Sequence, residues 1–334
     1  MTTRRRFLSL AAAALATPAL PRLACAQSWP ARPMRAMIPF SAGSSLDIVG
    51  RIVLDPLSSQ LGQTIVVENR GGAGGTIGTA AVAKADPDGY TLLINASAHS
   101  AAPAAYPNIA YDPARDFSAV IPFGTVPNVT LVAPAKGIKT IQELVTAAKS
   151  GSLSYASAGV GSATHWAAER LRVSAGFAGV HVPFRGGPEA LTEVMTGRVD
   201  FTCMGMSAAL PFIRDGKLIP LAVSSAKRSS ALPAVPTTLE SGLADSDYNY
   251  WMGMFVPAKT PREIVERLYA ETQKALRLPA VVEKFGPQGI EPMPMTSAEF
   301  DTLIKKEIAI NVALVKAAAS SSIDRARRAI NSPA

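Results

Sequence analysis

Short apolar, β-branched runs alternate along this chain with stretches whose apolar residues recur every three or four positions. The first pattern predicts strands and the second amphipathic helices. In the first third, strands are expected at 35–39, 64–68 and 90–95, with helices at 45–61 and about 76–85 between them. A second series follows, with strands at 129–133, 153–156, 180–183, 199–202 and 219–224 and helices at 140–149, about 163–175 and 188–196. After a loop holding Pro233 and Pro236, the chain reads as a strand near 253–256 and two longer helices at 261–276 and 297–318. Strands alternating with helices argue for parallel α/β construction, here built twice. The late strand near 253–256 is expected to return the chain to the first unit. This gives one lobe from 27–127 with about 250–334, and a second from 128–249.

In open α/β sheets, ligands settle beyond the carboxyl ends of strands, where helix N-termini gather. Four strand-to-helix loops carry small and polar residues there. The first runs through Gly43, Ser44 and Ser45, whose hydroxyls serve either as helix N-caps or as ligand contacts. The second, Gly71 to Gly75, offers either an anion cradle or a turn that needs unusual φ angles. The third contains Ala158, Gly159, Gly161, Ser162, Thr164 and His165, again glycines and hydroxyls at a helix start. The fourth holds Arg185 and Gly186 before Pro188, and its arginine either faces solvent or pairs with a carboxylate.

Residues 1–26 change the reading of charge. Arg4, Arg5 and Arg6 precede an apolar run from Phe7 to Ala16, and Ala24-Cys25-Ala26 supplies small residues for cleavage, which describes an export signal of twin-arginine or Sec type. Arg22 stands where a lipobox expects an aliphatic residue, so Cys25 is not expected to carry lipid. The signal holds four arginines and no acid, so the net charge of +8 falls to +4 without it. With aromatics at 6% and no basic block interleaved with them, nucleic acid is not an expected partner. Cys203 is then the single cysteine, so an intramolecular disulfide is excluded.

Several chemistries find no motif. Gly72 and Gly74 begin a dinucleotide fingerprint that Ile77 breaks, and GxxxxGK[ST] does not occur. His99, His165 and His181 lie far apart without HExxH or CxxC, so neither metal nor cofactor is expected. No GxSxG elbow is present either, and an exported hydrolase or transferase, the alternative reading, would use the Ser162 and His165 pair of the third loop.

Several long blocks resemble one family throughout: PFSAGSSLDIVGR, VVENRGGAGGTIGTAAVAKADPDGYTLL, YDPARDFSAV, LSYASAGVGSATHWAAERL, HVPFRGGPEALTEVMTGRVDF and DGKLIPLAVSSAKRSSALPAVPTTLESG. They are similar to the substrate-binding proteins of tripartite tricarboxylate transporters, the Bug proteins. The resemblance implies a two-lobed α/β periplasmic-binding-protein fold, type 2-like, a "Venus flytrap" that closes on a small carboxylate. It also implies a monomer that delivers the ligand to membrane permease subunits, without catalysis. Ligand contacts in such proteins come largely from main-chain amides and hydroxyls of strand-end loops. Gly43, Ser44, Ser45, Ala158, Gly159, Gly161 and Thr164 match best, with His165, Arg185, Gly186 and Met204 as further candidates. Relatives that bind amino acids carry an acid near Met204-Gly205, and its absence here argues for a carboxylate without an amine. A sensor that presents the loaded form to a receptor fits the same blocks.

Overall fold

A computed structural model describes residues 29–330, with side chains through 313, so the export signal lies outside the described residues. The first unit runs β1 (Met34–Ile38), α1 (Ser45–Leu61), β2 (Ile65–Asn69), α2 (Thr76–Ala83), β3 (Thr91–Ala96), α3 (Ala98–Ala105) and β4 (Phe117–Thr125). The second runs β5 (Asn128–Val132), α4 (Ile141–Ser150), β6 (Leu153–Ser157), α5 (Ala163–Ala175), β7 (Gly179–Pro183), α6 (Gly187–Met195), β8 (Phe201–Gly205), α7 (Met206–Arg214) and β9 (Ile219–Val223). The chain then adds β10 (Trp251–Pro257), α8 (Arg262–Arg277), α9 (Pro279–Phe285) and α10 (Ser297–Ile330).

Two five-stranded sheets result, ordered β2-β1-β3-β10-β4 and β7-β6-β8-β5-β9. In each, four strands run in one direction and the one reached by a sheet-to-sheet crossing runs against them: β10 between β3 and β4, and β5 between β8 and β9. The crossings are the short step from β4 to β5 and the long segment from β9 to β10. They lie side by side, since the Val126 amide donates to the Tyr250 carbonyl at 2.9 Å.

Local sequence explains why the helices sit where they do. α1 and α5 each begin at a serine whose Oγ accepts the third-residue amide, Ser44 from Asp47 and Ser162 from His165, both at 3.3 Å. Each ends at a left-handed glycine, Gly62 or Gly176, both at φ 67°. Four elements depart from the expected pattern. β4 contains Pro122 and Gly124, which argue against a strand, and it survives because it lies at a sheet edge with register shifts against β10. α3, α7 and α9 are short helices of seven to nine residues, two of them containing a proline, Pro103 and Pro211, which argues against a helix in the sequence.

The strands' alternation sorts the core. Met34, Ala36 and Ile38 of β1 join one cluster that also takes Val129 and Met204 from the second sheet, whereas Met37 joins Trp251, Phe255 and Phe300 on the opposite face. The first of these clusters runs continuously from one sheet to the other, so the two units are in close contact. Among the described residues no helix is long and apolar enough to cross a membrane.

Candidate functional site

The contact between the two sheets encloses a narrow cavity at the carboxyl ends of β1, β6 and β8. Its floor and rim come from the starts of α1 and α5: Ser44 and Ser45 from one unit, and Ser162, Ala163 and Thr164 from the other. Phe40, Ala96, Ala98 and Tyr250 wall it on one side, and Ala158, Gly187, Met204 and Gly205 on the other.

A helix start leaves its first amides without intrahelical partners and carries the positive end of the dipole. In α1, Ser44 takes the Asp47 amide, which leaves the amides of Ser45 and Leu46 to be satisfied from outside. In α5, Ser162 takes the His165 amide and leaves those of Ala163 and Thr164 in the same position. Two helix N-termini from different sheets therefore meet at one cavity. The cavity as it stands encloses about 20 Å³, the room of one water, so an anion that accepts from both has to widen it by parting the units.

Other candidate donors are already engaged. The Ala158 amide donates to Thr164 Oγ1 at 2.8 Å, the Gly159 amide to Ser157 Oγ at 3.1 Å, and the Gly161 amide to His165 Nδ1 at 3.2 Å. The Gly43 amide donates to Asp47 Oδ2 at 2.9 Å, and Gly43 itself is exposed. Ser45 Oγ donates to the Gly205 carbonyl at 2.9 Å and accepts the Ala208 amide at 3.1 Å, so it ties the two units together. Of the residues singled out from sequence, Ser44, Ser45, Ala158, Thr164 and Met204 line the cavity, whereas Gly43, Gly159, Gly161, His165, Arg185 and Gly186 do not. Phe40, Ala96 and Tyr250 were not among them. Phe40 sits inside a quoted loop and so carried a usable signal, but Ala96 and Tyr250 carry none.

The remaining candidates have other places. Arg185 is exposed, and Gly186 caps α6 with Ser41 so near that an added Cβ would stand 2.3 Å from its Oγ. His165 lies behind the loop, stacked on His181 with ring centroids 4.3 Å apart, and His181 in turn stacks on Tyr155 at 5.0 Å. Burial lowers the pKa of both histidines, His181 to about 4 with further lowering from the neighbouring His165. Asp47 holds the α1 start: burial pushes its carboxyl up, but hydrogen bonds from Arg51, the Gly43 amide and Asn69 outweigh that and keep it low. No group of three or more His, Cys, Asp or Glu able to hold a metal occurs among the described residues.

The glycine-rich loop has a separate role. None of Gly71 to Gly75 lines the cavity. Gly74 instead packs on the other unit so closely that a Cβ there would sit 2.0 Å from the Val160 carbonyl oxygen, and one on Gly71 would sit 3.0 Å from that of Arg185. Tyr106 OH donates to the same Val160 carbonyl at 2.9 Å, and Ser41 Oγ donates to Glu189 Oε1 at 2.9 Å. These contacts hold the two units shut on this side.

A Ser/His dyad is not assembled at the third loop. Ser162 Oγ donates to the Gly159 carbonyl at 2.7 Å, and the His165 ring nitrogen faces the Gly161 amide rather than Ser162. Ser157 Oγ does lie 2.6 Å from His181 Nε2, but Ser157 is fully buried and does not line the cavity.

The family described as the tripartite tricarboxylate transporter family receptor matches residues 49–319. The chain belongs to this family. Protein BugT of Bordetella pertussis is 34% identical over 310 residues, covering 91% of this chain and 94% of that protein. Among solved structures, MatC of Rhodopseudomonas palustris with bound malate is 30% identical with a TM-score of 0.81, covering 86% of this chain and all of that one. A second R. palustris protein, solved with adipate, is 31% identical with a TM-score of 0.82 and covers 86% and 98%. The two-sheet α/β architecture of this receptor is thus that of periplasmic binding proteins of its own family, and the family is one of substrate-binding receptors.

Proposed function

We propose that this receptor captures a small carboxylate in the cavity between its two sheets and hands it to the membrane permease of a tripartite transporter. The observation that carries this reading is the meeting of the α1 and α5 N-termini, one from each unit, at a cavity with otherwise mainly apolar walls. Charge-assisted hydrogen bonds of this kind contribute about 1.5–3 kcal/mol each. Neutral amide donors also avoid the desolvation penalty that a buried ion pair carries. The malate and adipate carried by two similar structures are of the same class.

In this reading the chain is a monomer of two lobes, 27–127 with about 250–334 and 128–249, that close around the ligand without turning it over. Residues 1–26 direct it to the periplasm and are then removed. Closure is the signal a permease senses, because a ligand gripped from both sides favours the shut arrangement.

The test is thermal denaturation of the mature protein against a broad panel of carboxylates. A bound ligand at about a hundred times its Kd raises the Tm by roughly 5 to 10 °C and saturates at one ligand per chain. A panel that leaves the Tm unmoved throughout contradicts the reading.

A further inference from the structure

Asn128 opens β5 one residue after the first crossing and is fully buried. Among the described residues, neither its Oδ1 nor its Nδ2 has a hydrogen-bond partner. Native proteins nearly always satisfy a buried amide, so a side chain with both its functions unpaired calls for a partner outside the fold.

Its position says where that partner lies. The strand register sets Asn128 directly opposite Gly205, a residue of the cavity wall whose added Cβ would point at Ser45 Oγ and the Tyr250 ring, so Asn128, though not itself part of the wall, stands directly behind it. Two residues along the same face, Thr130 Oγ1 lies 3.5 Å from Cys203 Sγ, and Cys203 packs in one cluster with Ala167 and Leu171 of α5. Asn128 therefore stands on the α5 face, at the end of the sheet where α5 begins. On its other side, Val126 is bonded to Tyr250, a further wall residue. By contrast, the wall hydroxyls of Ser45 and Ser162 are engaged within the protein.

The amide's chemistry narrows the partner. A carboxylate only accepts hydrogen bonds, which suits Nδ2 but sets its charge against Oδ1; its natural place is at the helix N-termini. A hydroxyl both donates and accepts, and so matches the two functions together. We propose that Asn128 recognises a hydroxyl group on the bound carboxylate, so that the protein selects hydroxy acids over the same acids without the hydroxyl. This rests on the carboxylate-capture reading above.

Matched pairs provide the test: malate with succinate, lactate with propionate, and mandelate with phenylacetate, titrated calorimetrically into wild type, Asn128→Leu and Asn128→Ala. For at least one pair, the wild type is expected to bind the hydroxy acid at least about tenfold tighter. Asn128→Leu brings that ratio close to one and changes the affinity for the unhydroxylated acid by less than about threefold. Its Tm without ligand is unchanged or higher, because an apolar side chain of similar shape replaces unpaired polar atoms. Should the leucine variant fail to fold, the ratio in Asn128→Ala decides. A wild type that binds these acids with no preference overturns this inference and leaves capture standing. So does a preference that survives the substitution, and a lowered Tm with the preference intact marks the amide as purely structural. A wild type that binds none of the six acids overturns this inference, while capture falls only if the broad carboxylate panel also leaves the Tm unmoved.

Discussion

Substituting Gly74 with alanine separates closure of the two units from the stability of each. Gly74 has φ 61°, and a Cβ there would stand 2.0 Å from the Val160 carbonyl oxygen and 3.2 Å from its carbon, on the opposite unit. Ordinary carbon–oxygen contact begins near 3.4 Å, so the Gly74 loop and Val160 must separate by roughly 1 Å or more. The Tyr106 hydroxyl, bonded to the same carbonyl, must follow or let go. Overpacking of this kind costs about 1–3 kcal/mol, and only the shut arrangement bears it. If ligand binds to that arrangement, affinity falls by roughly 5- to 150-fold. Alanine at this φ costs a further 1 kcal/mol or so in any arrangement, which lowers the Tm without touching affinity. Gly62→Ala supplies the control, since Gly62 has φ 67° and nothing within 4 Å of an added Cβ. Calorimetric titration of a carboxylate that binds the wild type should show Gly62→Ala at near wild-type affinity and Gly74→Ala far weaker. Equal affinities in both variants refute the claim that the glycine loop is a closure surface.

Other substitutions test the surrounding parts. Ser45→Ala removes the hydroxyl that joins Gly205 and Ala208 to α1 and leaves a buried amide unpaired, so binding should weaken by roughly 5- to 100-fold in the same titration. Arg185→Ala, at an exposed position outside the cavity wall, should bind within about threefold of wild type; a loss of a hundredfold or more shows that the arginine reaches the ligand. His181 is held neutral when folded, with its pKa lowered to about 4, chiefly by burial and secondarily by His165. The unfolded chain therefore takes up a proton first as pH falls, so stability declines from the ordinary histidine range down to about 4. Denaturant titrations of His181→Phe across that window should give a shallower decline, and an unchanged slope removes the histidine from the account.

Elements with chemical punctuation were readable from the sequence, and those without it were not. α1 and α5 announce themselves by a serine N-cap, a periodic apolar face and a terminal glycine, and the described helices begin where those signals stand. β4 hides because Pro122 and Gly124 argue against a strand, and only its place at the sheet edge makes them harmless. α7 hides because Met206–Arg214 is only nine residues long, follows β8 without a break and contains Pro211.

The candidate site divides in the same way. Loops at strand ends pointed to Ser44, Ser45, Ala158 and Thr164, and the family resemblance to Met204, which line the cavity, but the same loops also pointed to Gly43, Gly159, Gly161, His165, Arg185 and Gly186, which do not. Which amides are free is a different matter, because it depends on partners such as Thr164 Oγ1 for Ala158 and Ser157 Oγ for Gly159. Those pairings follow from loop geometry that residue types do not encode. Tyr250 and Asn128 were invisible for a related reason: they flank the two crossings between sheets, and only the strand register and the Val126–Tyr250 hydrogen bond bring Tyr250 into the cavity wall and Asn128 behind it, opposite the wall residue Gly205. The glycine loop was read as an anion cradle or a turn, and its contact with Val160 gives it a third role that only the closed pair of units displays.

A crystal structure of the mature protein with a carboxylate that it binds tests the central claim most directly. The account predicts the carboxylate oxygens within about 3.2 Å of first-turn amides of both α1 and α5, with Ser44 and Thr164 beside them. A carboxylate held by one unit alone, or seated away from the cavity in the groove lined by Arg277 of α8 and Phe285 of α9, contradicts it.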